Sequence, residues 1–427
     1  MKKLYVVLVV LLTSALLNAQ SFADRVLILN EGYFDYVTNE IQTPVSLGSY
    51  EPAAGLYTTL FTIDNARFAS DLIVDADNYF IAADNMLLKY DRYTDALLQE
   101  IEIPGIRKIA ASEDYIVVTR GEYMHTFDSY VVVLNRENLE TIFEVPAATI
   151  NYSTEGVEII DGKAYIAVNN GFVWGEEVGF IAVINLNTQS LESTIDLGAD
   201  GKNPDNLMWD GTSLYTLNNK DFTGSSISSI KISSGEISTN NLLNVTSGCG
   251  TSVYYNGAIY YQDSYHTSLS RYNILTEEIA DETEYGNTFY GLAFDEATNE
   301  MYTSVTDFYS YGEIYIYDLE GNLLNSFEAG VSPGNIAFDK RSTNAIISQN
   351  QFTVNMYPVP AQDYVMIESA NNLQSIELFD IAGKLLQVTN ANNTTQVMLD
   401  IKSLPAGLYT VRITSADGIT TQQLSVI

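Results

Sequence analysis

The chain has 427 residues, long enough for two domains, and carries 54 Asp and Glu against 20 Lys and Arg, a formal charge of −34. So acidic a surface repels phosphate backbones and anionic lipid, which argues against nucleic acid as a partner and for a protein kept soluble by its charge. The one cysteine, Cys249, excludes a disulfide framework and reads as a small buried residue where an inner strand begins.

At the N-terminus, Lys2 and Lys3 precede an apolar run from Leu4 to Leu17, and Asn18-Ala19-Gln20 offers a small-residue exit. This pattern predicts a secretory signal peptide over residues 1–20. The run is short for a membrane span, and no other apolar stretch approaches about 20 residues. With Cys249 deep in the chain, no cysteine stands after the signal peptide to take a lipid anchor.

From residue 69 onward one phrase recurs six times: an apolar strand, a turn, then a tyrosine opening a second apolar strand. The tyrosines are Tyr79, Tyr115, Tyr165, Tyr215, Tyr260 and Tyr302, spaced 36, 50, 50, 45 and 42 residues apart. Each is followed by a third strand, usually closed by Asp or Asn, and by a fourth, more polar strand. Four strands per period of roughly 40 to 50 residues is the signature of β-propeller blades. The inner strands read as the most apolar, as packing between blades would require. Pro104, Pro146, Pro204 and Pro333 fall between one blade and the next, where no ladder hydrogen bond is lost.

Residues 25–62 look like the second, third and fourth strands of a blade without its first, and residues 334–338 look like a first strand without its blade. Joining them predicts a composite blade, a total of seven, and a closed ring without free edges. The expected fold class is therefore all-β: a seven-bladed β-propeller over residues 25–340, a linker over 341–351, and a second domain over 352–427. The last reads as a small immunoglobulin-like β-sandwich of short alternating strands with Pro and Gly turns.

The motifs MYPVPAQD, IELFDIAGKLL and LPAGLYTVRI in this last domain resemble the type A C-terminal sorting domain of the type IX secretion system of Bacteroidetes. Val359 departs from the family, which usually has Asn there. The resemblance implies export across both membranes, the type IX secretion machinery as a partner, and a secreted or cell-surface location with the tail removed.

In a propeller, the loops from second to third strand and the loops between blades open on one face. Here that face is aromatic: Tyr33, Phe34 and Tyr36; Tyr123, His125 and Phe127; Phe172 and Trp174; Phe222; Tyr265 and His266; Phe308, Tyr309 and Tyr311. The loops between blades add Arg67, Phe68, Arg107, Asn151, Tyr152, Phe289 and Tyr290. Binding residues concentrate on loops held by a rigid scaffold, and aromatics there give large contact area at small entropic cost. The plainer alternative is that these tyrosines and phenylalanines pack blade edges. Among them we single out Tyr33, Arg67, Arg107, Tyr123, His125, Phe127, Phe172, Trp174, Phe222, Tyr265, His266, Phe308, Tyr309 and Tyr311 as candidate ligand-binding residues.

No catalytic residues and no metal site are expected. The only histidines, His125 and His266, lie in loops of different blades without paired spacing or a cysteine partner, and no nucleophile elbow or phosphate loop occurs. Asp75, Asp77 and Asn78 lack the remaining ligands of a calcium loop and read as turn formers.

The phrases VLILNEGYF, SLGSYE and IAADNMLLKYD resemble the YncE-like (DUF5074) surface propellers of Bacteroidetes over residues 25–340. Lipid-anchored members of that family capture cobalamin and hand it to an outer-membrane receptor, so the resemblance implies a corrinoid as ligand rather than cofactor. This chain departs from those members in lacking the anchor cysteine and in carrying the sorting tail. Three functions remain open: a non-catalytic surface protein holding a small ligand; an adhesion or scaffold propeller binding protein or glycan; and a lactonase- or lyase-like enzyme.

Overall fold

The computed structural model describes residues 23–221, 224–242, 245–264, 266–341, 354–379, 385–402, 404–415 and 418–427. The expected signal peptide, nearly all of the expected linker, Phe222 and Tyr265 lie outside them, as does the side chain of Cys249. Every regular element among the described residues is a β-strand. The chain divides into two compact units at Arg341 and Ser342.

The first unit is a ring of seven four-stranded antiparallel sheets. Blade one comprises Ala69–Asp75, Asn78–Ala83, Met86–Asp91 and Leu97–Glu102, and the next five repeat that order up to Val331. Blade seven is composite, as expected: Pro333–Lys340 supplies its inner strand, and Ala23–Asn30, Val45–Glu51 and Leu56–Ile63 supply the other three. The pairing Val26 to Phe338 and Ile28 to Ile336 closes the ring.

Side chains alternate across each strand, so every blade buries one set against the blade before it and the other against the blade after. Leu27, Leu29 and Leu47 meet Leu72, Tyr79 and Ile81 of blade one, while Val26, Ile28 and Tyr50 meet Tyr302, Ile314 and Ile316 of blade six. The same interleaving fills the other five seams. Each fully buried Val, Leu or Ile contributes about 1.5–3 kcal/mol by leaving water. The most completely buried strands are the second and third, not the inner ones: Asn78–Ala83 is buried almost throughout, whereas Ala69–Asp75 is largely half-buried. The inner strand has a neighbour on only one side and lines the axis.

The Asp or Asn that ends most third strands makes the following turn. Asp91 Oδ1 accepts the amides of Tyr93 and Thr94, Asn135 those of Glu137 and Asn138, Asn185 those of Asn187 and Thr188, and Asn273 those of Leu275 and Thr276. The fourth residue on, Asp95, Leu139, Gln189 or Glu277, then takes a left-handed backbone with φ of 53–57°. The marker tyrosines are scaffold. Tyr79 donates to Asp95 at 3.1 Å and Tyr215 to Asp210 at 3.1 Å, each from a buried ring.

Away from the loop face, the two ends of the propeller are clasped. Asp339, wholly buried, accepts from Arg25 at 2.8 Å, from Arg341 at 3.0 Å and from Arg92. Arg25 also reaches Asp95 at 2.7 and 2.9 Å and the Arg92 carbonyl at 2.7 Å. The backbone amide of Arg341 donates to Asp24 at 2.8 Å.

The tail is one five-stranded sheet curled over a single core rather than a set of short strands. Two strands of 16 residues, Tyr364–Phe379 and Leu385–Asp400, run through both of its halves. The buried positions switch from Val365 and Ile367 to Ile376 and Leu378 across register shifts between Glu368 and Ser375. That irregularity turns one long strand from one layer into the other.

Candidate functional site

The loops from second to third strand and the starts of the inner strands surround a cavity of about 240 Å³ at one end of the propeller axis, with contributions from six blades. Its chemistry is polar and ordered. Arg107 makes two parallel hydrogen bonds to Glu155, at 2.8 and 3.0 Å, and its guanidinium lies 5.2 Å from the ring centre of Phe172. Lys108 donates to the Ser70 carbonyl at 2.9 Å and stands 3.4 Å from Asp71. Burial lowers the pKa of this ammonium, but the charges of Asp71 and Glu155 outweigh it and hold the pKa above the ordinary lysine value.

On the far wall the buried Asn219 donates to Asp205 at 3.2 Å and accepts from Ser247 at 2.7 Å. Asn169 accepts from Ser153 at 3.2 Å and from the Gly171 amide at 3.0 Å. Glu31, just past the second strand of the composite blade, accepts from the Tyr290 hydroxyl at 2.7 Å. Desolvation dominates there and raises the Glu31 carboxyl to about 7, even though Tyr290, Lys108 and Arg107 all pull it down. Gly334 makes this contact possible, because a Cβ at that position would fall 2.3 Å from Glu31 Oε1 and 3.0 Å from the Tyr290 ring.

A second recess of about 260 Å³ opens beside the first and shares Glu31 and Phe68 with it. A short hairpin, Tyr33–Asp35 paired with Glu40–Thr43, stands in the composite blade where a plain loop was expected. Its Tyr33 meets Tyr309 edge-on at 5.0 Å, and Phe308 meets Tyr290 edge-on at 5.0 Å. Arg67 lines this recess and is held by Asp84 at 2.5 Å and Glu122 at 3.0 Å.

The candidate residues therefore separate. Arg107 and Phe172 line the axial cavity; Tyr33, Arg67, Phe308 and Tyr309 line the recess beside it. Tyr123 and Trp174, exposed on their loops, and Tyr311, which opens the third strand of blade six rather than lying in a loop, line neither. Phe127 is held by packing: its ring covers Gly105, whose φ of 73° and absent Cβ admit it, and Arg120 lies over its face at 4.2 Å. His125 bonds the Tyr123 carbonyl at 3.0 Å and His266 bonds Asp263 at 3.0 Å, each within its own loop. Among the described residues no group of His, Cys, Asp and Glu is placed to hold a metal ion.

Sequence reasoning missed most polar members of the cavity: Glu31, Lys108, Glu155, Asn203, Asp205 and Asn219. Their signal was positional. Asn169 and Asn219 lie at the end of a second strand or just past it, and Lys108, Glu155 and Asp205 lie one or two residues into an inner strand, so the repeat frame places them at the axis.

Residues 355–427 match the family described as the secretion system C-terminal sorting domain, and the tail is accordingly a type IX sorting domain. No curated protein matches the chain. Among solved structures the chain is similar to a quinonprotein alcohol dehydrogenase-like protein from Bacteroides thetaiotaomicron VPI-5482, at 15% identity over 75% of this chain and 79% of that one, with a TM-score of 0.56. It is also similar to BamB from Moraxella catarrhalis (11% identity, 93% and 90% covered, TM-score 0.47) and to the dihydro-heme d1 dehydrogenase NirN (13%, 74% and 75%, 0.48). At these identities the likeness is one of fold alone.

Proposed function

We propose that this chain is an exported, non-catalytic binding propeller that holds a small polar ligand in the axial cavity of its loop face. The propeller fold and the sorting tail support a secreted or cell-surface protein delivered by the type IX machinery. The observation that carries the ligand reading is convergence: buried and half-buried side chains from six blades meet around one open space. A rigid ring that orders amides, carboxylates and cations about a cavity is built for recognition. A histidine mechanism of the lactonase or lyase kind finds no support in two exposed histidines bonded within their own loops.

The size of the cavity, below the usual range for drug-sized ligands, favours a compact occupant. A corrinoid, the ligand implied by the YncE-like resemblance, would lie across the rim, where Tyr36 and Tyr309 are well exposed. An outer-membrane receptor would then be the expected acceptor.

The test is a thermal-stabilisation screen of the full chain against sugars, amino acids, nucleosides and cobalamins. A ligand at 100 times its Kd adds about 2.7 kcal/mol of stability. The expected outcome is a hit whose stabilisation is lost in Asn335→Ala, a half-exposed residue of the cavity wall. Hits that all survive that change would sink the axial site.

A further inference from the structure

The axial cavity and the aromatic recess adjoin, with Glu31 and Phe68 lining both. Each half holds about the liquid volume of eight waters, the scale of one hexose ring. The two halves are chemically unlike. The axial half presents side-chain amides and carboxylates already fixed by their own neighbours, such as Asn219 on Asp205. Such planar groups offer paired acceptors and donors to adjacent hydroxyls. The recess presents rings: Tyr36 is 73% exposed, Tyr309 66% and Phe308 48%. Tyr309 and Phe308 are each braced edge-on by a second ring, so little freedom is lost when a ligand stacks on them.

The charges decide what kind of ligand this surface suits. Arg107 is bonded to Glu155, Lys108 lies by Asp71, and Arg67 is bonded to Asp84 and Glu122. Each cation that lines the two recesses thus stands beside at least one carboxylate, and the chain as a whole is at −34. An anionic ligand would meet no uncommitted positive charge and a repulsive field. Polar groups on one side, rings on the other and no cation to spare describe a surface for a neutral polyhydroxylated chain.

We propose that the ligand is the end of a neutral saccharide chain, with its terminal ring in the axial cavity and the next ring stacked on the shelf formed by Tyr309, Phe308 and Tyr36. Glu31 stands at the junction of the two rings and, where protonated, donates a hydrogen bond to the sugar. The proposal rests on the axial cavity being a ligand site.

The test is calorimetry on the full chain with malto-, cello-, xylo- and mannohexaose, their monosaccharides, and acidic probes (tetragalacturonate and a heparin hexasaccharide). At least one neutral hexasaccharide is expected to bind tenfold or more tighter than its monosaccharide, and both acidic probes to bind more weakly. Tyr309→Ala should cut hexasaccharide affinity about tenfold and leave the monosaccharide unchanged; Asn335→Ala should weaken both about fivefold. Indifference to every neutral sugar, preference for an acidic one, or hexasaccharide binding untouched by Tyr309→Ala overturns the proposal. If the sugars fail while another small molecule is lost in Asn335→Ala, the cavity stands and only its saccharide assignment falls. If Asn335→Ala alters the binding of nothing, the cavity falls with it.

Discussion

The clasp at one end of the propeller strands and the cavity at the other are both built from arginines and carboxylates, yet they do opposite things with them. In the clasp, Arg25, Arg92 and Arg341 close on a single wholly buried carboxylate, Asp339, and on the backbone of the same seam. In the cavity, Arg107 and Glu155 satisfy each other and still border an open space. The contrast teaches that ion pairing alone does not mark a site. What separates the two is whether the paired groups converge on each other or stand around room for something else.

Asp339 holds the clasp together. Replacing it by Ala removes the carboxylate that three guanidinium groups share at a seam of the ring and leaves Arg25 with Asp95 alone as its ion-pair partner; breaking a buried ion cluster this way costs about 3–5 kcal/mol. Urea unfolding of the variant should show a loss of that size, and a loss below about 1 kcal/mol would mean that the clasp does not hold the ring shut.

Proton linkage separates the two regions by sign. Burial raises the Asp339 pKa, but hydrogen bonds from Arg341, Arg25 and Arg92 outweigh it and leave the pKa below the ordinary carboxylate value. Its stabilisation is present above the unfolded-state pKa and is lost as pH falls through the folded one. Glu31 at the cavity, and Glu158, further along the inner strand Thr154–Ile160 and outside the cavity, are both raised by desolvation to about 7 and act the other way. As pH rises from about 4.5 to 7 the unfolded carboxyls ionise first, so the folded state loses ground, and the loss levels off above 7. The double variant Glu31→Gln, Glu158→Gln should flatten the decline in stability between pH 5 and 7 by about 2 kcal/mol in total. An unchanged slope in a pH series of unfolding curves would contradict desolvation as the dominant influence on these carboxyls.

Two smaller effects sharpen the picture. Gln189, exposed at a left-handed turn position with φ 57°, should gain a few tenths to about 1 kcal/mol when replaced by Gly, measured as a rise in Tm. Tyr309→Ala should leave stability within about 0.5 kcal/mol of the parent, because the ring is 66% exposed. A large destabilisation there would recast the aromatic shelf as packing.

The frame of the molecule was legible because its signals are periodic. The recurring strand–turn–tyrosine phrase has a physical cause: Tyr79 and Tyr302 fill the seams between blades. The unmatched ends at residues 25–62 and 334–338 carried the blade count, since a strand without its sheet needs a partner. The site was legible only in part. Aromatic residues such as Tyr33 and Tyr309 stand out in a loop, whereas Asn219 or Glu155 looks like any polar residue at a strand end until the ring turns six strand ends inward. The tail was read as separate short strands because its polar runs resemble turns. Residues 369–375 instead carry a register irregularity inside one strand that continues through them.

Ring closure has a consequence for the order of events during synthesis and export. Val26 pairs with Phe338, more than 300 residues away, and bringing such distant segments together costs about 5 kcal/mol of chain entropy. The three strands of the composite blade that emerge first therefore keep an unpaired edge until the last strand of the propeller appears. Asp339, on which the clasp turns, is three residues short of the unit that carries the sorting signal. A chain broken off before Pro333 lacks the closing strand and the export address together. A truncated ring thus lacks the tail that addresses the chain for export.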